Sequence, residues 1–264
     1  MKKRSTGKTS NLGSVTTCLN LLTFFLVLCA GTSFAQNVKV ATAANLQSVI
    51  RVLGEDFKQK TGITIEPIIG SSGNLTTQIK NGAPYDVFLS AVMTFPESLY
   101  KDGFSTKKPV AYAQGSLIIC SNQDVGFDNW EAILISEKVK KIAIANPGIA
   151  PYGKAAEEAL YQKGIYNNIH SKIVIGESIS QVNTYITTGV VEVGFTTQAL
   201  VKDPGNKTPL FWKAIDPKTY SPIEQGMVLL KRDETNTGAE KFYQYLLSPA
   251  AKAIFVEYGY LVQK

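Results

Sequence analysis

A turn made only of glycine and serine offers the clearest chemistry in this chain. Gly70-Ser71-Ser72-Gly73 follows an apolar run at 63–69 that predicts a strand, and it precedes residues 74–81, which predict a helix. The start of a helix leaves backbone N–H groups without intrahelical partners, and the helix macrodipole attracts negative charge there. The turn is therefore a candidate anion site, although a Ser N-cap beside a turn glycine explains these residues alone more simply.

The same arrangement occurs four times in the chain. Small or hydroxylated residues separate a predicted strand from a predicted helix at 43–45, 70–73, 150–153 and 176–179. Two of these turns lie in the first half of the chain and two in the second, and none contains Lys or Arg. Together they predict an uncharged site in which N–H and O–H groups from two halves of the molecule hold one anion.

Alternating strands and helices must position these turns. The order strand, helix, strand, helix, strand between residues 38 and 91 predicts an α/β fold with a mainly parallel sheet that helices cover on both faces. A second set of such units begins near residue 141. We expect the chain to cross between two lobes near Gln114-Gly115 and again at 224–226, so that residues 36–114 plus 225–264 form lobe 1 and residues 115–224 form lobe 2.

The first 35 residues read as a secretory signal peptide. They combine a basic start, an apolar stretch at 21–28 and a small-x-Ala pattern that ends at Ala35. A lipid anchor on Cys29 is not expected, because the bulky Leu28 precedes it. Residues 1–35 carry four basic residues and no acid, so their removal lowers the net charge from +6 to +2. The charge then gives no reason to expect nucleic acid or an anionic membrane as a partner.

Several kinds of catalytic and metal site are disfavoured by composition. The chain has one histidine, His170, so a histidine metal cluster cannot form and a Ser–His–Asp triad would depend on a residue that we place on the surface. We interpret Glu157-Glu158 as a solvated helix face and Asp86 as a structural hydrogen-bonding residue. Cys120 alone remains in the mature chain, within an apolar run, and predicts a buried thiol and no intrachain disulfide. The sequence argues against an enzyme.

The chain resembles the periplasmic molybdate-binding proteins of ABC importers, within the two-lobed solute-binding superfamily. The resemblance covers residues 38–262 and depends on the order and spacing of several stretches. These are ATAANL at 41–46, GSSG at 70–73, GAPYDVFLSA at 82–91, NPGIAPYG at 146–153, GVVEVGF at 189–195, SPAAKAIF at 248–255 and YGY at 258–260. It implies the two-lobed periplasmic-binding-protein fold, with a mainly parallel sheet and flanking helices in each lobe.

The resemblance also implies a set of ligand-binding residues. Asn45 matches the position of an oxyanion donor at the end of the first strand, and Ala44 beside it offers a backbone N–H. Ser72 matches a ligand that uses both its hydroxyl and its amide. Tyr152 and Ile179 match positions that each give a backbone N–H. The metal of the oxyanion is held through its oxygens, so no direct metal ligand and no separate cofactor are expected.

One family donor has no obvious counterpart here. Some members add a tyrosine hydroxyl after the strand that contains Gly194, and this chain has Thr197 at that place. The phenol of Tyr152 is the alternative donor, because a subset of the family shares the same Asn and Ala-Pro-Tyr-Gly pattern.

By this resemblance the chain is expected to be a periplasmic monomer that captures molybdate or tungstate in a cleft between the lobes. The closed form would then dock on an ABC permease that a separate ATPase drives. A carrier of sulfate or another small oxyanion is the nearest alternative, and a secreted enzyme with Ser72 as nucleophile is a more distant one. Phosphate is disfavoured because its proton needs an acceptor, which these turns lack.

Overall fold

The computed structural model describes residues 1, 37–105, 107–231 and 236–262. The predicted signal peptide, including Cys29, falls outside these ranges. Residues 36–264 form one unit, so the predicted lobe boundaries at 114/115 and 224/225 stay a prediction. In the part of the chain described, no helix has the length and apolar content needed to cross a bilayer.

Ten strands and ten α-helices are assigned within these ranges. The strands are β1 Val38–Ala43, β2 Ile65–Gly70, β3 Val87–Ser90, β4 Val110–Gly115, β5 Leu117–Ser121, β6 Ile142–Ala145, β7 Ile173–Gly176, β8 Val193–Thr197, β9 Phe211–Ala214 and β10 Ile223–Leu229. The helices are α1 Gln47–Thr61, α2 Ser72–Lys80, α3 Thr94–Lys101, α4 Trp130–Ile135, α5 Pro151–Gln162, α6 Tyr166–Ile169, α7 Ile179–Thr187, α8 Ala199–Lys202, α9 Thr237–Leu246 and α10 Pro249–Glu257.

The strands form two five-stranded sheets with the same layout. The first has the order β2-β1-β3-β10-β4 and the second the order β7-β6-β8-β5-β9. In each sheet the first three strands are parallel, and the fourth is antiparallel to both of its neighbours. The predicted α/β fold with two lobes and a mainly parallel sheet in each is therefore confirmed: in each sheet four strands run in one direction and one runs in the other.

The antiparallel strands have a simple cause. β5 is the first strand after the chain leaves the first sheet, and β10 is the first strand after it returns. Each enters its new sheet from the edge where the parallel strands end, so it must run against them. The carboxyl ends of the parallel strands in both sheets consequently face the crossing region, which is where open α/β sheets place ligands.

The helices cover the sheets with apolar faces. In α1 the buried side chains recur at helical spacing, and the helix ends at Gly62, which has a φ of 74° and donates its N–H to Lys58 O at 2.8 Å. Among the described residues, two apolar clusters lie mainly in the first lobe, and a third fills the second lobe and extends to Ala43, Ala44 and Ala91. Cys120 is buried on β5, and Asp86 Oδ2 accepts a hydrogen bond from the Lys39 N–H at 2.7 Å, as predicted for both.

One strand was not predicted and one helix boundary was wrong. β9 lies at an edge of the second sheet, and its exposed Phe211 and Trp212 lack the alternation of a half-buried strand. The turn predicted at 150–153 ends earlier than expected, because α5 begins at Pro151. Proline suits the first helical position, since its missing N–H would have no partner there.

Candidate functional site

The five predicted site residues line one small cavity between the two sheets. Its volume is about 10 Å³, and residues from both lobes surround it: Ala43, Ala44, Asn45, Ser71, Ser72, Ala91, Ala150, Pro151, Tyr152 and Ile179. Every predicted site residue is at most 4% exposed. The structure thus brings Ser72 and Tyr152 to the same place, although 80 residues separate them in the chain. Which of these residues hold a ligand stays a prediction.

The hydroxyl of Ser72 is oriented by a neighbouring strand end. Its Oγ accepts a hydrogen bond from the backbone N–H of Ala91 at 3.0 Å. Ser72 is 1% exposed, and among the described residues we find no acceptor for its O–H. A serine hydroxyl has one proton to donate. Since the Ala91 N–H occupies an Oγ lone pair, that proton remains available to a ligand in the cavity.

The start of α2 leaves only one backbone N–H open. The Gly73 N–H donates to Ile149 O at 3.0 Å, and the Asn74 N–H donates to Oγ of the N-cap Ser71 at 3.4 Å. The Ser72 N–H has no partner among the described residues. Ser72 therefore presents both a hydroxyl and an amide donor, the pair that the resemblance implied.

The start of α5 likewise leaves one backbone N–H without a hydrogen-bond partner among the described residues. Pro151 has no N–H, and the N–H groups of Gly153 and Lys154 both reach Ala150 O, at 2.9 and 3.1 Å. The N–H of Tyr152 is left. A glycine at 153 is required, because a Cβ there would lie 2.0 Å from Ala145 O. The Pro-Tyr-Gly sequence thus seats the first turn of α5 against the end of β6 and leaves the Tyr152 amide open.

At the start of α7 the N-cap side chain again accepts a hydrogen bond from one of the backbone N–H groups of the first turn. Oγ of Ser178 accepts the Gln181 N–H at 3.4 Å, and Ser178 O accepts the Val182 N–H at 3.1 Å. The N–H of Ile179, the first residue of the helix, has no partner in the described part of the chain. Its buried side chain belongs to the core of the second lobe.

Asn45 lies in a buried polar network that the sequence did not reveal. Its Nδ2 donates to Gln225 Oε1 at 2.8 Å and to Tyr260 Oη at 3.1 Å, and the Tyr260 hydroxyl donates to Asn45 O at 2.8 Å. Gln225 Nε2 is in turn held by Ala91 O and Ile223 O, each at 3.3 Å. Both N–H bonds of the Asn45 amide are therefore used within the protein.

This network changes the expected role of Asn45. The donor that remains is its backbone N–H, which, like that of Ala44, lies at the start of a 3-10 turn (Ala44–Leu46) where N–H groups lack intrahelical partners. Asn45 Oδ1 is buried without a hydrogen-bond partner among the described residues. The argument that this region lacks an acceptor for a protonated anion was therefore wrong. A buried unpaired acceptor costs about 1–3 kcal/mol.

The phenol of Tyr152 points to the crossing between the lobes. Its Oη accepts a hydrogen bond from Thr197 Oγ1 at 3.3 Å, and a Cβ at Gly115 would lie 1.9 Å from it. Gly115 ends β4, so only glycine allows the ring to pass the crossing strand. Burial raises the pKa of the Tyr152 phenol well above its usual range and that of Tyr260 to about 12. Both phenols are therefore neutral in the physiological range.

No charged side chain lines the cavity among the described residues. A second and larger cavity of about 340 Å³ adjoins it at Ala150 and Pro151, and its charged lining residues are Lys154 and Glu158. These two form an ion pair at 3.8 Å. The small cavity can therefore hold an anion only through neutral hydrogen-bond donors and helix starts, without a formal countercharge.

Sequence reasoning missed several residues around the cavity. Ala91 positions Ser72, while Gln225 and Tyr260 position Asn45. Ala91 and Tyr260 belong to stretches that carry the family resemblance, so the sequence did contain a signal that they lie near the site. For Gln225 the only signal was its place at the predicted return crossing.

Comparisons with known proteins agree with this architecture. Residues 38–261 match the model of the bacterial extracellular solute-binding protein family. The molybdate-binding protein ModA of Azotobacter vinelandii is 35% identical over 90% of this chain and 94% of its own length, and that of Rhodobacter capsulatus is 35% identical over 87% and 90%.

A solved structure shows the same fold. The periplasmic molybdate-binding protein of Azotobacter vinelandii superposes with a TM-score of 0.82 at 33% identity, covering 86% of this chain and all of that one. On sequence and fold together, the chain belongs to the bacterial extracellular solute-binding protein family.

Proposed function

We propose that this protein is the molybdate-binding component of an ABC importer and that tungstate is its second ligand. The observation that carries the proposal is the cavity between the lobes, where four helix starts leave unpaired N–H groups beside the Ser72 hydroxyl. The relatives named above are molybdate-binding proteins, which supports this oxyanion class.

The donor chemistry suits a tetrahedral dianion. The open groups are the Ser72 O–H and N–H, the Tyr152 and Ile179 N–H groups, and the N–H groups of Ala44 and Asn45. Each of four anion oxygens can then accept from at least one donor, and hydrogen bonds to an ionised acceptor are roughly twice as strong as neutral ones. The metal atom is held through its oxygens, so the protein needs neither a direct metal ligand nor a resident cofactor.

Capture follows from the two-lobed fold. The crossing strands β4 and β5 meet at Gly115 and Leu117, and β10 returns from Ile223. A rotation at these few residues opens and closes the cleft, as in hinged domain closure. We infer that the exported protein, cleaved after Ala35, works as a periplasmic monomer and delivers the anion to a permease driven by a separate ATPase.

Sulfate is the nearest competing ligand, because it is also a dianion that needs only donors. The two anions differ in size, so the cavity dimensions must discriminate between them. Hydrogen phosphate must be tested as well, since Asn45 Oδ1 is a buried acceptor with no partner. An enzyme with Ser72 as nucleophile is not supported, because the cavity lining contains no His, Asp, Glu or Lys that could act as a base.

A thermal-shift series tests the proposal directly. The mature protein is heated with molybdate, tungstate, sulfate or phosphate, and a ligand present at 100 times its Kd adds about 2.7 kcal/mol to the free energy of unfolding. We expect shifts with molybdate and tungstate only, and calorimetric titration then gives their Kd values. A larger shift with sulfate or phosphate would reassign the ligand, and no shift with any of the four would refute the proposal.

A further inference from the structure

Among the described residues, three hydrogen bonds cross the cleft beside the cavity. The Gly73 N–H donates to Ile149 O at 3.0 Å, and Asn74 Nδ2 donates to Glu177 Oε1 at 2.7 Å. The third joins the side chains of Ser180 and Gln47. In each pair one residue belongs to the first lobe and the other to the second.

None of these residues lines the anion cavity, yet each is close in sequence to one that does. Gly73 and Asn74 follow Ser72, and Glu177 and Ser180 flank the segment that contains Ile179. The cross-lobe contacts therefore form at the rim of the cavity. They can exist only when the two sets of helix starts have come together.

The approach at Gly73 is close enough to fix the separation of the lobes. A Cβ on this residue would lie 2.9 Å from Ile149 Cβ and 3.0 Å from Ile149 Cα. A Cβ essentially never lies within 3.0 Å of a carbon atom to which it is not bonded, so a side chain at this position would push the two segments apart. With glycine here, the start of α2 can close against the turn before α5.

We propose that Asn74 and Glu177 form a closure latch: positioning residues that set how long the anion stays bound without touching it. The inference rests on the proposed function. A contact that exists only in the closed form shifts the open–closed equilibrium toward the closed form and so raises the apparent affinity. Because it must break before the lobes open, its loss increases the dissociation rate of the anion and leaves the association rate unchanged.

Exchanging donor and acceptor gives a decisive test. Asn74→Asp faces the Glu177 carboxylate with a second carboxylate, and we expect molybdate to dissociate at least fivefold faster. Glu177→Gln keeps an oxygen that can accept from Asn74 Nδ2, so its rates should stay within twofold of the wild type. In Asn74→Asp/Glu177→Gln the donor and the acceptor change places, and the slow dissociation should return.

The double variant separates the latch from simple repulsion of the anion. It has the same net charge as the wild type and one carboxylate at the rim, so a rescued dissociation rate reflects the hydrogen bond. Asn74 is the third residue of α2, where an acidic side chain favours the helix, so Asn74→Asp should fold. Stopped-flow measurement of both rate constants, with thermal unfolding of the ligand-free proteins as control, gives the readout.

The outcomes also distinguish this inference from the proposed function. If wild type binds molybdate but the double variant dissociates as fast as Asn74→Asp, the latch is wrong and the function stands. If wild type binds no oxyanion, the function fails. Small-angle scattering of the ligand-free proteins then decides on the latch: it requires Asn74→Asp to be more expanded than the wild type and the double variant, and identical curves would overturn it.

Discussion

The two lobes share one strand order, but they face the cavity with different chemistry. The first lobe contributes a side-chain donor, the Ser72 hydroxyl, and a buried amide, Asn45, which Gln225 and Tyr260 hold in place. The second lobe contributes backbone N–H groups at Tyr152 and Ile179, and both of these side chains belong to its apolar core.

If the cavity holds the proposed anion, this difference separates two ways of building an uncharged binding site. A side-chain donor depends on residue type and is lost by one substitution. A backbone donor depends on where a helix begins, and any residue except proline can supply it. The first lobe also offers backbone N–H groups, but only it offers a side-chain donor. We therefore expect side-chain substitutions to lower affinity most at Ser72 in the first lobe, and substitutions in the second lobe to act only when they remove or displace an N–H.

The largest effect should come from Ser72→Ala in the first lobe. The change removes an O–H donor and also leaves the buried Ala91 N–H without its acceptor. The lost hydrogen bond to the charged anion is worth about 1.5–3 kcal/mol, so molybdate affinity measured by titration calorimetry should fall roughly ten- to a hundredfold. The unpaired Ala91 N–H is present with and without ligand, so it should lower the free energy of unfolding instead. Thr76→Val is the matched control, because it removes a hydroxyl that donates to Ser72 O one turn later and does not line the cavity. Equal losses in both variants would contradict the role given to Ser72.

A proline in the second lobe tests the backbone donor. Ile179 is the first residue of α7 and follows Ser178 in an extended conformation (φ −147°, ψ 169°), so Ile179→Pro fits the helix start and removes one N–H. We expect roughly tenfold weaker binding from the lost charge-assisted hydrogen bond. Ile179→Val keeps the N–H and should bind within about twofold of wild type, with about 0.5–1.5 kcal/mol less stability. If the valine variant loses affinity as much as the proline variant, the side chain and not the amide is responsible.

The same distinction explains what the sequence could predict. The four turns between strands and helices were found from local pattern, and parallel strands bring such turns to one edge of a sheet. The choice of Ser72, Tyr152, Ile179 and Asn45 within those turns came from the family resemblance. The side-chain partners of Asn45 were not predicted by either.

Long-range contacts account for the rest. Gln225 lies 180 residues from Asn45 and Tyr260 lies 215 residues away, and no periodicity or spacing links such positions. The direction of the Tyr152 phenol was equally hidden, since it depends on the space that Gly115 leaves at the crossing between the lobes. The sequence therefore predicted which backbone positions line the same cavity. It did not predict the hydrogen bonds that the surrounding side chains make with one another.

A smaller effect is expected for Tyr152→Phe. Its phenol bonds with Thr197 at 3.3 Å behind the cavity, so removing it should lower stability by about 1 kcal/mol and change affinity less than threefold. Tyr260→Phe should weaken binding more, because Tyr260 contacts both the amide and the backbone carbonyl of Asn45. Calorimetry on the two variants ranks them. A tenfold loss in Tyr152→Phe would instead make its phenol a direct donor to the anion, the alternative raised from the sequence.

The smallest expected effect is that of pH on affinity. No titratable side chain other than Tyr152 lines the cavity among the described residues, and burial raises the pKa of Tyr152 and Tyr260 from the usual value near 10, to about 12 for Tyr260. The Kd for molybdate measured by calorimetry at pH 6, 7.5 and 9 should therefore vary less than twofold.

Stability, in contrast, should respond to alkali. Because the folded pKa of Tyr260 lies above the unfolded one, its contribution is complete below pH 10 and is lost as the pH rises toward 12. Thermal unfolding between pH 9 and 11 should show this decline, and Tyr260→Phe should reduce its slope. A Kd that changes tenfold between pH 6 and 9 would require a titrating group at the cavity and would contradict the uncharged site on which the comparison of the two lobes depends.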